Sequence, residues 1–132
     1  MPHRLPARLL LWFGALAILG SLPALAHHSF AEEFDTSKPM TLEGVVTRID
    51  WENPHVHYYV DVTSPDGTVV NWACETGGPA RLARKGWTHD SLKVGDKVVV
   101  QGFLAKDGSH AVDGRQVRLP DGRKIGSEPD SK

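Results

Sequence analysis

The sequence predicts a mostly β domain: a small five-stranded barrel of the OB type, with one short helix between the third and fourth strands. Several runs of residues alternate between apolar and polar side chains, as strands with one buried face do. Turn sequences rich in Gly, Pro and Asp separate these runs, and a short helical segment follows the third. Three strands, a helix and two further strands is the element order of an OB barrel. A β-sandwich is the alternative.

The first three strands are expected within residues 40–76. Residues 40–51 form the first, in which Gly44 indicates a bend or a bulge. Residues 55–63 form the second, and a turn at 64–67 leads to the third at 68–76. Alternation along the second strand places His55, His57, Tyr59 and Asp61 on one face and Val56, Tyr58, Val60 and Val62 on the other.

The helix and the last strands follow. Pro79 suits the first helical position and Gly86 suits the stop, so residues 79–86 predict a helix of about two turns. Residues 91–105 read as a turn followed by a strand. Residues 110–126 predict a last strand or a hairpin around Pro120, Asp121 and Gly122. Ahead of the barrel, Phe30 and Phe34 are spaced so that one helical turn would dock both rings onto the domain.

The N-terminal 26 residues have the three parts of a secretory signal peptide. Arg4 and Arg8 precede an apolar run at 9–22, and Ala24-Leu25-Ala26 is a cleavage signal. The apolar run is shorter than the roughly 20 residues that span a bilayer. We therefore expect export through the Sec route, cleavage after Ala26, a periplasmic protein and no stable membrane anchor. An uncleaved anchor is the alternative.

Cleavage would leave a lead-in at 27–40, a barrel domain at 41–126 and a flexible tail at 127–132. The whole chain has a formal net charge of −1, and residues 1–26 contribute two arginines and no acid. The slightly acidic mature chain would not attract phosphate backbones, so no nucleic-acid partner is expected. Cys74 is the only cysteine, which excludes an internal disulfide. A buried thiol in a strand is expected, with a metal ligand or an intermolecular disulfide as alternatives.

Four stretches carry a resemblance to a known family: "AHHSFAEEFD", "TLEGVVTRIDWENPH", "RKGWTHDSLKVGDKVVVQGF" and "KDGS" with "LPDGRK". Together they resemble a family of small secreted proteins from Gram-negative bacteria, catalogued as a domain of unknown function. The resemblance covers about residues 26–125 and implies a periplasmic, OB-like barrel. It implies no established activity and therefore no catalytic residues. The position of His57 is often aromatic in the family pattern, so a role for His57 would be particular to this chain.

The histidines suggest a metal site. Cleavage after Ala26 would free the α-amine of His27, which with its own ring Nδ1 offers two nitrogens to one ion. A third nitrogen from another histidine would complete the arrangement called a histidine brace, and such nitrogen ligands suit Cu(II). His28 could add its ring, and His55 and His57 lie two apart on one strand face. The sequence thus predicts a copper site at His27, His28, His55 and His57.

Each histidine also has a simpler interpretation. His27 and His28 can be an incidental terminus, and His55 can belong to a structural Asn-Pro-His turn in which it bonds the backbone. His57 can be an ordinary exposed strand residue. His89 and His110 are expected to be solvated.

The leading functional hypothesis is a periplasmic, non-enzymatic binding module with copper as its ligand. The first alternative is an accessory domain that binds a protein or a small molecule without metal. A copper oxidoreductase comes third. The chain has no nucleotide-binding glycine motif, no CxxC and no haem CxxCH, and no catalytic residue is predicted.

Overall fold

The computed structural model describes residues 29–125. Within that range no helix is long and apolar enough to cross a membrane. The described elements are, in chain order, α1 (Phe30–Glu33), β1 (Phe34–Asp50), β2 (His57–Thr63), β3 (Val69–Glu75), α2 (Pro79–Arg84), β4 (Lys97–Ala105), β5 (Ala111–Asp113), β6 (Gln116–Arg118) and β7 (Lys124–Ile125).

Five of these strands close a barrel in the order β1-β2-β3-β5-β4, because β1 pairs with both β2 and β4. The neighbours are antiparallel except for β3 and β5, which are parallel. The remaining two strands, β6 and β7, lie outside the barrel and extend from β4. Helix α2 falls between the third and fourth strands. The predicted OB-like barrel is therefore confirmed, and the β-sandwich is not the architecture found.

Strand β1 begins earlier than the predicted run at 40–51. Phe34 and Asp35 already pair with the end of β4, and the register shifts before pairing resumes at Pro39. The Asp35 carboxylate accepts hydrogen bonds from the backbone N–H of Ser37 (3.0 Å) and from its hydroxyl (2.6 Å). This local turn takes up the unpaired residues. The polar segment before Pro39 is thus an irregularity inside a paired strand.

The barrel core follows the predicted alternation. Val56, Tyr58 and Val60 are almost completely buried, whereas His55, His57 and Tyr59 lie on the outer face with partial exposure. Alternation on β1 buries Leu42 and Val46 and leaves Val45 exposed. Other buried side chains complete the core, among them Cys74, Leu82, Trp87, Leu92, Val98, Val100, Val112, Val117 and Leu119.

Cys74 is the buried strand thiol that the sequence predicts, with no exposed surface. Burial raises the pKa of the Cys74 thiol to about 12. We expect alkylation of Cys74 at pH 8 to be at least about a hundredfold slower in the folded protein than in urea, because both access and thiolate are lost. Alkylation reactions quenched at a series of times and analysed by mass spectrometry would measure this ratio of rates.

The raised pKa of Cys74 also predicts how the stability of the fold changes with pH. The ordinary thiol pKa is 9.0, whereas the folded value is about 12. The folded chain therefore keeps its proton where the unfolded chain loses it. The stability contributed by Cys74 is fully present below pH 9 and is lost as the pH rises from about 9 to about 12. Urea unfolding across this window should show that fall, and a Cys74→Ala variant should show less of it.

Candidate functional site

Two of the predicted metal-ligating histidines meet at one carboxylate. His57 begins β2 and is paired with Glu75 at the end of β3, so both side chains lie on the outer face of the barrel. The Glu75 carboxylate contacts Nδ1 of His55 through Oε1, and its Oε2 lies 3.6 Å from Nε2 of His57. Glu75 therefore joins the two histidines into one cluster. His55 bonds this carboxylate, not a backbone group as the structural interpretation of its turn supposed.

Backbone hydrogen bonds on either side of Val56 fix this cluster. The N–H of Val56 donates to the carbonyl of Gly77 (3.1 Å), and the N–H of Thr76 donates to the carbonyl of Val56 (3.0 Å). The buried Thr76 hydroxyl donates to the same Val56 carbonyl (2.8 Å). With Val56 buried, its two neighbours in sequence must point outward. Their side chains are 38% and 34% exposed, so the histidine rings remain accessible.

The cluster continues into a row of charged groups across three strands. Glu75 is paired in register with Asp113 on the parallel strand β5. Asp113 is 5% exposed, and its burial raises the pKa of its carboxyl above the ordinary value despite the adjacent Arg115 guanidinium. Nε of Arg115 donates to both Asp113 oxygens, at 2.7 and 2.9 Å. The row therefore runs from His57 through Glu75 and Asp113 to Arg115.

The N-terminal helix docks at the end of this row. The Arg115 guanidinium lies 4.1 Å from the centroid of the Phe30 ring, a cation–π contact. Phe30 also stacks on the buried Phe34 (5.4 Å) and meets the edge of Phe103 (6.2 Å). The predicted docking of Phe30 and Phe34 by one helical turn is confirmed. The Lys106 ammonium donates to the carbonyl of Ala31 (2.5 Å) and holds the same turn.

The remaining histidines lie outside this cluster or outside the described residues. His27 and His28 fall outside the described residues, so their part in a site stays a prediction. Asp61, farther along the same face of β2, accepts a hydrogen bond from the Asn71 amide (2.7 Å). His89 and His110 are exposed and rest on tryptophan rings, on Trp51 at 5.6 Å and on Trp72 at 5.0 Å.

The described residues do not form a complete metal site by themselves. Within residues 29–125, no three side chains among His, Cys, Asp and Glu are arranged to hold a metal ion. His55 and His57 offer two imidazoles, but the carboxylate between them is taken up by contacts to both rings. Any metal bound here would need at least one further donor.

Sequence reasoning did not find Glu75, Asp113 or Arg115. The signal for Glu75 was present in the hairpin register, because the turn at residues 64–67 sets the pairing that brings it opposite His57. Asp113 and Arg115 gave no local signal, since they reach the cluster only through the parallel pairing of β3 with β5.

The comparisons with known proteins give a family and no function. The family model described as a family of unknown function, DUF6152, matches residues 16–114, about three quarters of the chain. No curated protein and no solved structure matches the chain. The matched range includes His55, His57, Glu75 and Asp113 and ends one residue before Arg115.

Proposed function

Because the chain belongs to the DUF6152 family, whose function is unknown, we propose a function from its own residues: a periplasmic, non-enzymatic module that binds copper. The site would form at the N terminus that cleavage after Ala26 exposes. Its ligands would be the amine and ring of His27, the ring of His28, and one or both of His55 and His57. The observation that carries this proposal is the single carboxylate of Glu75 in contact with both barrel histidines.

The contact with Glu75 gives His55 the arrangement that is common among histidines that bind metals. A histidine that binds a metal commonly gives its other ring nitrogen to a carboxylate, which fixes the ring and its tautomer. Nδ1 of His55 is occupied by Glu75, and within residues 29–125 its Nε2 has no hydrogen-bond partner. His57 presents Nε2 to Glu75 and keeps Nδ1 for a ligand. His55 is thus the barrel histidine that we expect to contribute most.

The docked helix α1 supports the participation of the terminus. Phe30 is held over Arg115, at the end of the row that contains Glu75. His28 precedes Phe30 by two residues, and an extended chain spans at most about 3.6 Å per residue. The described chain therefore begins near the Arg115 end of this row, and the proposal is that His27 and His28 reach the cluster from there. A terminal amine and imidazoles are nitrogen donors, for which Cu(II) has the highest affinity among the divalent first-row metals. Cu(II) also suits a planar arrangement of such donors.

The two alternatives lead to different results. An accessory domain that binds a partner without metal would not respond to the histidines or to the chemistry of the terminus. A copper oxidoreductase would use the same ligands but would also turn over a reductant when loaded with copper. The binding module should hold copper without sustained turnover.

The experiment is a Cu(II) titration of the processed protein and of single variants of the barrel histidines. We expect His55→Gln to lower the affinity at least about tenfold, since loss of a ligand should exceed the lower end of the 10–100-fold range seen for its supporting groups. His57→Gln should have a smaller effect. Competition with a chelator of known affinity measures both.

His89→Gln is the matched control, because His89 is exposed and lies outside the cluster, on Trp51. Its copper affinity should equal that of the unchanged protein. Equal affinities for the His55→Gln, His57→Gln and His89→Gln variants would contradict a role for the barrel histidines. Thermal unfolding of each variant would confirm that the comparison is made on folded protein.

A further inference from the structure

Basic side chains line a concave surface beside β6 and β7, the two strands that extend from the barrel. Two adjoining cavities, of about 220 and 350 Å³, share Lys124 and Ile125 of β7. We propose that together they form a binding cleft for a small organic dicarboxylate. This site is independent of the copper proposal.

The charge of the cleft is the first argument. The chain as a whole carries 15 basic and 16 acidic residues, close to balance. Among the described residues that line the two cavities, four are basic and none is Asp or Glu; the basic ones are Lys85, Arg118, Arg123 and Lys124. A concave surface with one sign of charge concentrates counter-ions of the opposite sign. The local composition therefore favours an anionic ligand.

The arrangement of Arg118 and Lys124 is the second argument. The two residues are direct partners across the antiparallel pair β6 and β7. Like charges placed directly opposite each other destabilise a sheet. Within residues 29–125 neither side chain has an ion pair or a hydrogen bond that would offset the repulsion. Val99 pairs with Arg118 on one side and with Glu43 of β1 on the other, and Glu43 forms no salt bridge with Arg118.

The chemistry of the lining indicates the ligand class. An arginine fork binds a carboxylate through two parallel hydrogen bonds, and a lysine adds a point charge. The amides of Gln101 and Gln116, paired across β4 and β6, supply neutral donors on the same wall. The second cavity offers Arg123, whose guanidinium also contacts Asp121 (2.5 Å), and Lys85. Ile125 lines both cavities and suits a short aliphatic chain joining two carboxylates.

The test uses the full processed chain without copper, titrated with glutarate and adipate at constant ionic strength. Backbone amide NMR should show saturable shifts at β6, β7 and residues 85–91. The neutral diamide of glutaric acid should cause none. Arg118→Gln should weaken dicarboxylate binding at least tenfold. Lys93→Gln removes one exposed positive charge outside both cavities and should leave binding unchanged.

Thermal unfolding gives a second, independent readout. Without ligand, Arg118→Gln should unfold at the same temperature as the unchanged protein or at a higher one, because the variant removes a like-charge pair. Dicarboxylate should raise the midpoint of the unchanged protein and not that of the variant. A lower midpoint for the ligand-free variant, shifts reproduced by chloride alone, or equal weakening by Lys93→Gln would overturn the proposal.

Discussion

Replacement of Gly102 with alanine is expected to destabilise the barrel by about 3 kcal/mol or more, at the upper end of the range for overpacking. A Cβ at this position would lie 1.7 Å from the carbonyl oxygen of Asp113 and 2.8 Å from its carbonyl carbon. Both atoms belong to the backbone of β5, so no side-chain rotation relieves the clash. The two strands would have to separate where the barrel closes. Urea unfolding, with the free energy extrapolated to water, measures the effect.

Gly77→Ala is the matched control. The nearest atom to a Cβ at Gly77 is Cδ of Arg81 at 3.1 Å, the middle of a flexible and exposed side chain. We expect this substitution to change the free energy of unfolding by less than about 1 kcal/mol. A Gly102→Ala variant as stable as the Gly77→Ala variant would contradict the close approach of β4 and β5, and with it the closure of the barrel.

The barrel could be predicted because its signals are local. Alternation at Val56, Tyr58 and Val60 identifies the buried face of β2, and the turn at residues 64–67 fixes the hairpin with β3. The short helix between β3 and β4 then indicates the OB order. The start of β1 was harder, because its first residues pair across a register shift that a polar, Pro-containing segment conceals.

The candidate site was predictable only in part, for a physical reason. His55 and His57 share a face because they are two residues apart on a strand, and this spacing can be read directly from the sequence. Glu75 is 18 residues beyond His57, and its position depends on the exact pairing of β2 with β3. Asp113 comes next to Glu75 through a parallel pairing that closes only when the whole barrel forms. Such non-local contacts leave no pattern in a short stretch of sequence.

A Met-Gly-Ser extension before His27 is expected to lower the Cu(II) affinity of the mature chain by about a hundredfold or more. The extension converts the α-amine of His27 into an amide, which removes one proposed ligand and breaks the chelate with the ring. It places His27 and His28 fourth and fifth, so that no histidine stands third, where it would form a new terminal copper site. Loss of a ligand should exceed the 10–100-fold effect of its supporting groups. Titration against a competing chelator compares the two forms.

Thermal unfolding of the two forms without copper is the control for this extension. The docked turn at Phe30 and Phe34 and the capping contact in which the Ser29 N–H donates to Glu32 (2.8 Å) lie after the altered residue. The two forms should therefore unfold at the same temperature without copper. A large difference in stability would mean that the extension disturbs the helix, and a His27→Ala variant of the processed chain would then be compared instead.

The most direct test of the copper proposal is the EPR spectrum of one equivalent of Cu(II) on protein processed in cells to begin at His27, beside that of the form with the Met-Gly-Ser extension. We predict a single nitrogen-rich signal in the processed protein that is lost or replaced in the extended form. His55→Gln should alter the same signal, because barrel and terminus would share one ion. Identical spectra and equal, weak binding in the two forms would contradict the proposal and would leave His27 without a part in metal binding.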